Sequence, residues 1–377
     1  MKYCCDVRRM AYSTIFRVTD CPVPKGVGNH HEGVDALLEL MGEHGLRFYE
    51  TTEDSNIGGP DGLIDEGDVV LVKVNAQWKY RGCTNSDVVR GLIQRVLEHP
   101  DGFDGEVVIF ENGQGGGSLD CDTMWGRQYT DTGVHANAED KSHSFSYLVN
   151  QVFDDERVSM YLLDPVRETF IDADDHETDG YRRIGEVSYP CFTTAGGYRV
   201  ELREGVWNGS DHEGSLKLLN VPVLKHHDGC GVTGALKSYY GVLSMADGRR
   251  RERHYERIGE HLGEMVARVR APTLSVMDCI WVTQVRWAGY PPEYTTRLDQ
   301  LLASLDPVAL DYWASKHLLY PIDGNEEHDP DRHRPLRDYL EKASGIINAE
   351  GGIYGRETTL EENRIKAHSL RCPDAGS

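Results

Sequence analysis

The sequence has no CxxC pair among its nine cysteines, which are Cys4, Cys5, Cys21, Cys83, Cys121, Cys191, Cys230, Cys279 and Cys372. Their odd number and irregular spacing exclude a zinc ribbon and a ferredoxin-type iron–sulfur motif, and argue against a disulfide framework. No apolar run reaches about 18 residues, so no membrane span is expected. The opening MKYCCDVRRMAYSTIF lacks an apolar signal core, so secretion is not expected and a reducing cytoplasm is the expected compartment. Basic residues are outnumbered: 40 against 62 acidic ones, a net charge of −22. That balance repels phosphate backbones and anionic bilayers, so neither nucleic acid nor membrane is an expected partner. The one basic run, RRRER at Arg249 to Arg253, reads as a solvated helix start. The phosphate-loop pattern GxxxxGK[ST] and the metalloprotease pattern HExxH are both missing.

What is present is the composition of a globular protein, 39% hydrophobic and 27% charged. A chain of 377 residues can bury roughly three quarters of its unfolded surface, in one large domain or two. Tyr12 to Val18 is strand-like, and Gly33 to Met41 has helical spacing. Asp68 to Asn75 reads as a buried strand, Ser86 as the cap of a helix carrying Val88, Val89, Leu92, Ile93, Val96 and Leu97, and Glu106 to Phe110 as a second strand. Strand, helix and strand at this spacing make a parallel βαβ unit. Both strand ends then face one sheet edge, which gathers Lys73, Asn75, Glu111 and Asn112. Residues 118–214 read as a polar, irregular insertion or cover, with strand-like runs at Val158 to Leu163 and Tyr198 to Leu202. Its acid-rich piece, Asp172 to Asp179, holds His176 but lacks the spacing and glycine of a calcium loop, and reads as a solvated loop.

The stretch around which the rest is organised is Leu216 to Leu243, LKLLNVPVLKHHDGCGVTGALKSYYGVL. A buried apolar run leads into Lys225, His226, His227 and Asp228, then into Gly229, Gly231 and Gly234 and a helix start near Thr233. Open α/β sheets place their ligand crevice at such a junction. Beyond it, Arg257 to Val269 is an amphipathic helix, Thr273 to Met277 a strand delivering Asp278, and Asp306-Pro307 the cap and first turn of a helix from Val308 to Leu319. Asp311 in that helix reads as part of a buried network. A last helix spans Leu336 to Ile347, and the charged tail from Glu357 is expected to pack loosely. The fold class is therefore α/β, a mostly parallel sheet flanked by helices. Its portions are 1–117, 118–214 and 215–377, compatible with a single domain.

The segments VVLVKVNAQW, TNSDVVRGLIQRVL, VVIFENGQGGG, LLNVPVLKHHDGCGVTGALKSYYGVL, LSVMDCI and LASLDPVALDYWASKHL occur in this order. Together they resemble the domain-of-unknown-function family three-sixty-two from Asp68 to Leu319, with Ser118 to Gly214 unmatched. The resemblance implies an α/β fold and a shared pocket but no reaction. Members often carry an appended ferredoxin-like cysteine motif; this chain lacks it, so an iron–sulfur function does not transfer.

From the residues themselves, two or three lysines in one crevice of an acidic protein favour a small anionic ligand. Lys73, Asn75, Glu111, Gly231, Thr233 and Asp278 would bind or orient it, with backbone N–H groups of the glycine loop facing the anion. His226 would be the general base or acid, Lys225 and Lys237 the charge stabilisers or second acid. Side chains alternate along a strand, so one of His226 and His227 faces the pocket, and His226 is the choice. The expectation is an enzyme of isomerase or transferase type. The first alternative is a metal-dependent redox or hydrolytic enzyme, with a divalent metal on His226, His227 and Cys230, supported by Glu111, Asp278 and His254. The second is a non-catalytic binding or accessory protein. Oligomeric state is not encoded in any pattern found.

Overall fold

Two apolar runs, Val69–Val72 and Val107–Phe110, are buried on both faces, as interior strands of a parallel sheet must be. The computed structural model describes residues 12–24, 28–116, 118–122, 133–244, 246, 255–285 and 294–373. Cys4, Cys5, Gly117, the Arg249 to Arg253 run and His254 lie outside the described residues.

The first portion supplies β1 (Ser13–Thr19), the short β2 (Tyr49–Glu50) and β3 (Gly58–Gly59), β4 (Val69–Val74) and β5 (Glu106–Glu111). The middle portion supplies β6 (Val158–Leu162), β7 (Gly180–Ile184), β8 (Val187–Thr193), β9 (Arg199–Glu201), β10 (Gly205–Trp207) and β11 (His212–Glu213). The last portion supplies β12 (Leu216–Val221), β13 (Val223–His227), β14 (Gly231–Thr233), β15 (Leu274–Thr283), β16 (Thr295–Ser304) and β17 (Ile365–Arg371).

Ten strands make one mixed sheet in the order β17-β1-β16-β15-β12-β4-β5-β6, with β13 on β15 and β14 on β13. Strands β15, β12, β4, β5 and β6 run parallel, while β16 runs antiparallel to both its neighbours. All three portions thus contribute to one sheet, and the α/β class with a mostly parallel sheet holds. Alternation along each strand splits the core. Val70, Val72, Val107 and Ile109 pack with the residues of helices Glu32–Glu43 and Ser86–Leu97. Val69, Leu71, Val108 and Phe110 pack in the second core, with those of helices Ile258–Glu264 and Arg334–Ala349.

Several local expectations are corrected. Helix Ser86–Leu97 is capped by Asn85, whose Oδ1 accepts from the N–H groups of Asp87 (2.9 Å) and Val88 (3.3 Å); the Ser86 hydroxyl instead donates to the His143 carbonyl. The run expected as one strand before Lys225 breaks at Pro222, which lacks the N–H a continuous ladder needs. Strand β12 pairs with β4 and β13 steps onto β15. The tail is not loose: β17 lies parallel on β1 from Ser13↔Ile365 to Thr19↔Arg371. The middle portion, read as irregular, yields edge strand β6 and a separate five-stranded antiparallel sheet, order β11-β10-β9-β8-β7.

Candidate functional site

The chain passes β4, β5 and β6 toward one side of the sheet, then returns to place β12 against the other side of β4. The order reverses there, and in open α/β sheets the crevice forms outside the carboxyl ends of the strands at such a reversal. Lys73 on β4 pairs in register with Asn220 on β12, across that junction.

Three lysines converge at this edge, all buried. The Lys73 ammonium sits against the Glu111 carboxylate and donates to the Val74 carbonyl (2.7 Å) and the Ser238 hydroxyl (3.4 Å). Gly241 makes the ion pair possible: a Cβ there would lie 2.7 Å and 2.9 Å from the Glu111 oxygens and 2.9 Å from Lys73 Nζ. The Lys225 ammonium donates to the Gly82 carbonyl. The Lys237 ammonium lies 4.4 Å from the centroid of the Tyr240 ring, a cation–π contact. Burial pushes Lys225 down to about 8, against the attraction of Cys83 and Glu111 and with the repulsion of Lys237 and Lys73. Burial likewise pushes Lys237 down to about 8, and Glu111 up to about 7 despite its pairing with Lys73. Charges on Lys73, Lys237, Glu111 and Cys83 are all felt at Lys225, so these groups form one electrostatic unit.

Strand alternation takes His226 away from this unit. Its Nδ1 meets His328 Nε2 at 2.9 Å and its Nε2 meets Asp228 at 3.2 Å, with Glu327 at 4.0 Å. The expectation that His226 shares the lysine hollow is therefore corrected. His227, two residues from Lys225, turns instead to Cys230, with Nδ1 3.0 Å from the thiol sulfur. Since neighbouring side chains on a strand diverge, His226, His227 and Cys230 do not converge as a metal triad. Among the described residues, three potential ligand atoms converge at His176, Glu201 and His212 and at Glu66, His99 and Asp101.

Other expected groups serve structure. The Asn75 Oδ1 accepts from the Val223 N–H (3.0 Å), bridging the end of β4 to the start of β13. Asp278 accepts from Asn85 N (2.8 Å), Ile280 N (3.0 Å) and Asn137 Nδ2 (3.3 Å), and burial pushes it up to about 7. Thr233 pairs with Lys225 and Gly231 with His227 in the β13–β14 hairpin. Gly231 takes φ +83°, and a Cβ there would meet the Glu327 carbonyl oxygen at 2.4 Å. The expected anion cradle at the helix start is already filled from within. The helix has four residues, Ala235–Ser238, and the Asp311 carboxylate accepts from the N–H groups of Ala235 and Leu236. Gly234 permits this approach, since a Cβ there would lie 2.2 Å from Asp311 Oδ1. Gly234 and Gly241 thus serve close packing of carboxylates, those of Asp311 and Glu111.

The glycines at 234 and 241, with Lys225, Lys237 and Asp278, fall in residues 207–316, which match the family model described as Domain of unknown function (DUF362). That stretch belongs to the DUF362 family. No curated protein and no solved structure matches the chain. The DUF362 stretch carries β12 to β16 and with them Lys225 and Lys237; Lys73 and Glu111 come from outside it.

Sequence reasoning overlooked Cys83, buried where Lys225 acts on it. A hydrogen bond from Cys121 lowers the pKa of the Cys83 thiol, and Lys225 lowers it further. It also overlooked Asn220, whose Nδ2 donates to the Ala235 carbonyl (2.9 Å) while its buried Oδ1 accepts no bond. A polar residue inside the apolar run LLNVPVL was the available signal. Cys83 gave none, being one scattered cysteine among nine.

Proposed function

We propose that the chain is an enzyme that binds a small anionic metabolite at the lysine cluster and moves a proton on it. What carries this reading is the gathering of Lys73, Lys225 and Lys237, all buried, at the reversal point of the sheet in a chain of net charge −22. Like charges held together out of water are costly, and a bound anion offsets that cost. An ammonium with a pKa near 8 exists in both forms close to neutral pH, which suits a group that gives and takes a proton. Lys225 and Lys237 are the assigned proton carriers. Lys73, locked on Glu111, holds that carboxylate in place beside the two proton carriers. Isomerisation or group transfer beside a carboxylate or phosphate fits this set. The seven described cysteines are free and buried, which fits a reducing cytoplasm. Among the described residues no helix is long and apolar enough to cross a membrane.

The reading is tested by thermal unfolding of the full chain with inorganic phosphate, dicarboxylates and sugar phosphates. At least one should raise the Tm of the native protein, as saturation of a folded-state site must. The rise should vanish in Lys225→Met and Lys237→Met. A panel without effect, or a rise that survives both substitutions, overturns it.

A further inference from the structure

The small antiparallel sheet of the middle portion, separate from the sheet that bears Lys73 and Lys225, carries a second cluster. His176 comes from the acid-rich loop before β7, Glu201 from the end of β9 and His212 from β11. Glu201 is fully buried, and the two histidines are about one fifth exposed. His176 Nδ1 stands 2.6 Å from Glu201 Oε1, and His212 Nε2 stands 2.8 Å from Glu201 Oε2. The three ligand atoms lie within 4.8 Å of one another. The His176 ring lies flat on the Trp207 indole, centroids 3.9 Å apart and planes 8° apart, which fixes its direction.

We propose that His176, Glu201 and His212 form a binding site for one divalent cation of the zinc class. Two imidazoles and a carboxylate, with no thiolate, are a borderline donor set suited to zinc, cobalt or nickel rather than to calcium or copper(I). Three protein ligands leave further positions on the cation for water. Binding requires each imidazole to present a lone pair where it now faces the carboxylate; a neutral imidazole does this by carrying its proton on the other ring nitrogen. The Glu201 carboxylate faces both imidazoles, one on each oxygen. The Arg182 guanidinium grips Glu201 Oε2, and Arg199 Nε lies 4.0 Å from Oε1. These cations oppose the metal's charge while holding the ligand carboxylate in place, the supporting role common around metal sites. Arg199 is itself offset by Asp179 at 2.9 Å.

The other three-donor group, Glu66, His99 and Asp101, is a weaker candidate. Both ring nitrogens of His99 are engaged, Nε2 with the Ile64 carbonyl at 3.1 Å and Nδ1 with the Asp101 N–H at 3.2 Å. Occupancy of the proposed site would tie the acid-rich loop, β9 and β11 to one point.

The test is titration of the untagged, metal-stripped full chain with Co²⁺, read by its visible absorption, followed by displacement with Zn²⁺. We expect saturation at one equivalent and a rise in Tm with Zn²⁺. Affinity should fall at least tenfold in His176→Gln and in His212→Gln, and stay unchanged in His99→Gln. Circular dichroism of each metal-free variant checks folding; if His212→Gln fails to fold, the loop residue His176 decides alone. Absence of a cobalt spectrum and of any Zn²⁺-dependent Tm shift overturns the proposal. So does binding that survives His176→Gln, or that is lost in His99→Gln.

Discussion

Lys237→Met should stabilise the fold at neutral pH while removing anion binding. Burial takes the Lys237 pKa from 10.5 to about 8. At roughly 1.4 kcal/mol per factor of ten, holding the ammonium charged inside the protein costs about 3 kcal/mol. The cation–π contact with Tyr240, 4.4 Å to the centroid, returns about 1 kcal/mol, and methionine keeps most of the side-chain volume. The net gain at pH 7 is then about 2 kcal/mol. Because the folded-state pKa is the lower one, the unfolded chain binds more protons between about 8 and 10.5, and the native protein gains stability as pH rises through that window. The advantage of the variant should therefore shrink by about 3 kcal/mol between pH 7 and pH 10.5. Urea unfolding at a series of pH values reads this directly. In a chain of this length the gain at pH 7 corresponds to roughly 3 °C in Tm. A difference between variant and native protein that does not change with pH would refute the reasoning, since it would mean that Lys237 titrates alike in both states. A stabilised variant that no longer binds would identify Lys237 as a residue retained for chemistry at a cost in stability.

Glu111→Gln leaves the Lys73 ammonium buried without its counter-charge and should destabilise by roughly 3–5 kcal/mol in urea unfolding, with Lys73→Met added to Glu111→Gln recovering part of the loss. Asp306→Ala removes the side chain that accepts from Val308 N (2.9 Å) and Ala309 N (3.0 Å) at the start of helix Pro307–Ala314, and should cost about 1–2 kcal/mol by the same measurement. Asp278 is held up to about 7 by burial, so its protonated form favours the fold below about pH 4 and that contribution is lost as pH rises through 7. Asp278→Asn should flatten the fall in unfolding free energy between pH 4 and 7, by an amount on the order of 4 kcal/mol, as read by unfolding curves across that range.

The local grammar of the chain was legible without coordinates. Buried apolar runs marked β4 and β5, and the 3.6-residue spacing after position 86 marked the helix between them, because both signals depend on neighbours in sequence. Asp306 and Pro307 announced their helix for the same reason. That strand ends in a βαβ unit share an edge was enough to expect Lys73 and Glu111 together, and they form an ion pair. The α/β class followed from the same patterns.

Only the tertiary structure decided what each polar group does. Strand β17 pairs with β1 across some 350 residues through backbone bonds, which leave no apolar signature in the tail. Pro222 shifts the chain from one ladder to another, and alternation after it sends Lys225 toward the lysines and His226 toward His328. The glycine loop looked ready for an anion, but the carboxylate that satisfies the helix start comes from Asp311, about 75 residues further on. His176, Glu201 and His212 are spread over three segments that only the folding of the β7–β11 sheet brings together. Sequence spacing reports which residues share a helix face or a strand face; which faces meet is settled by packing between distant segments.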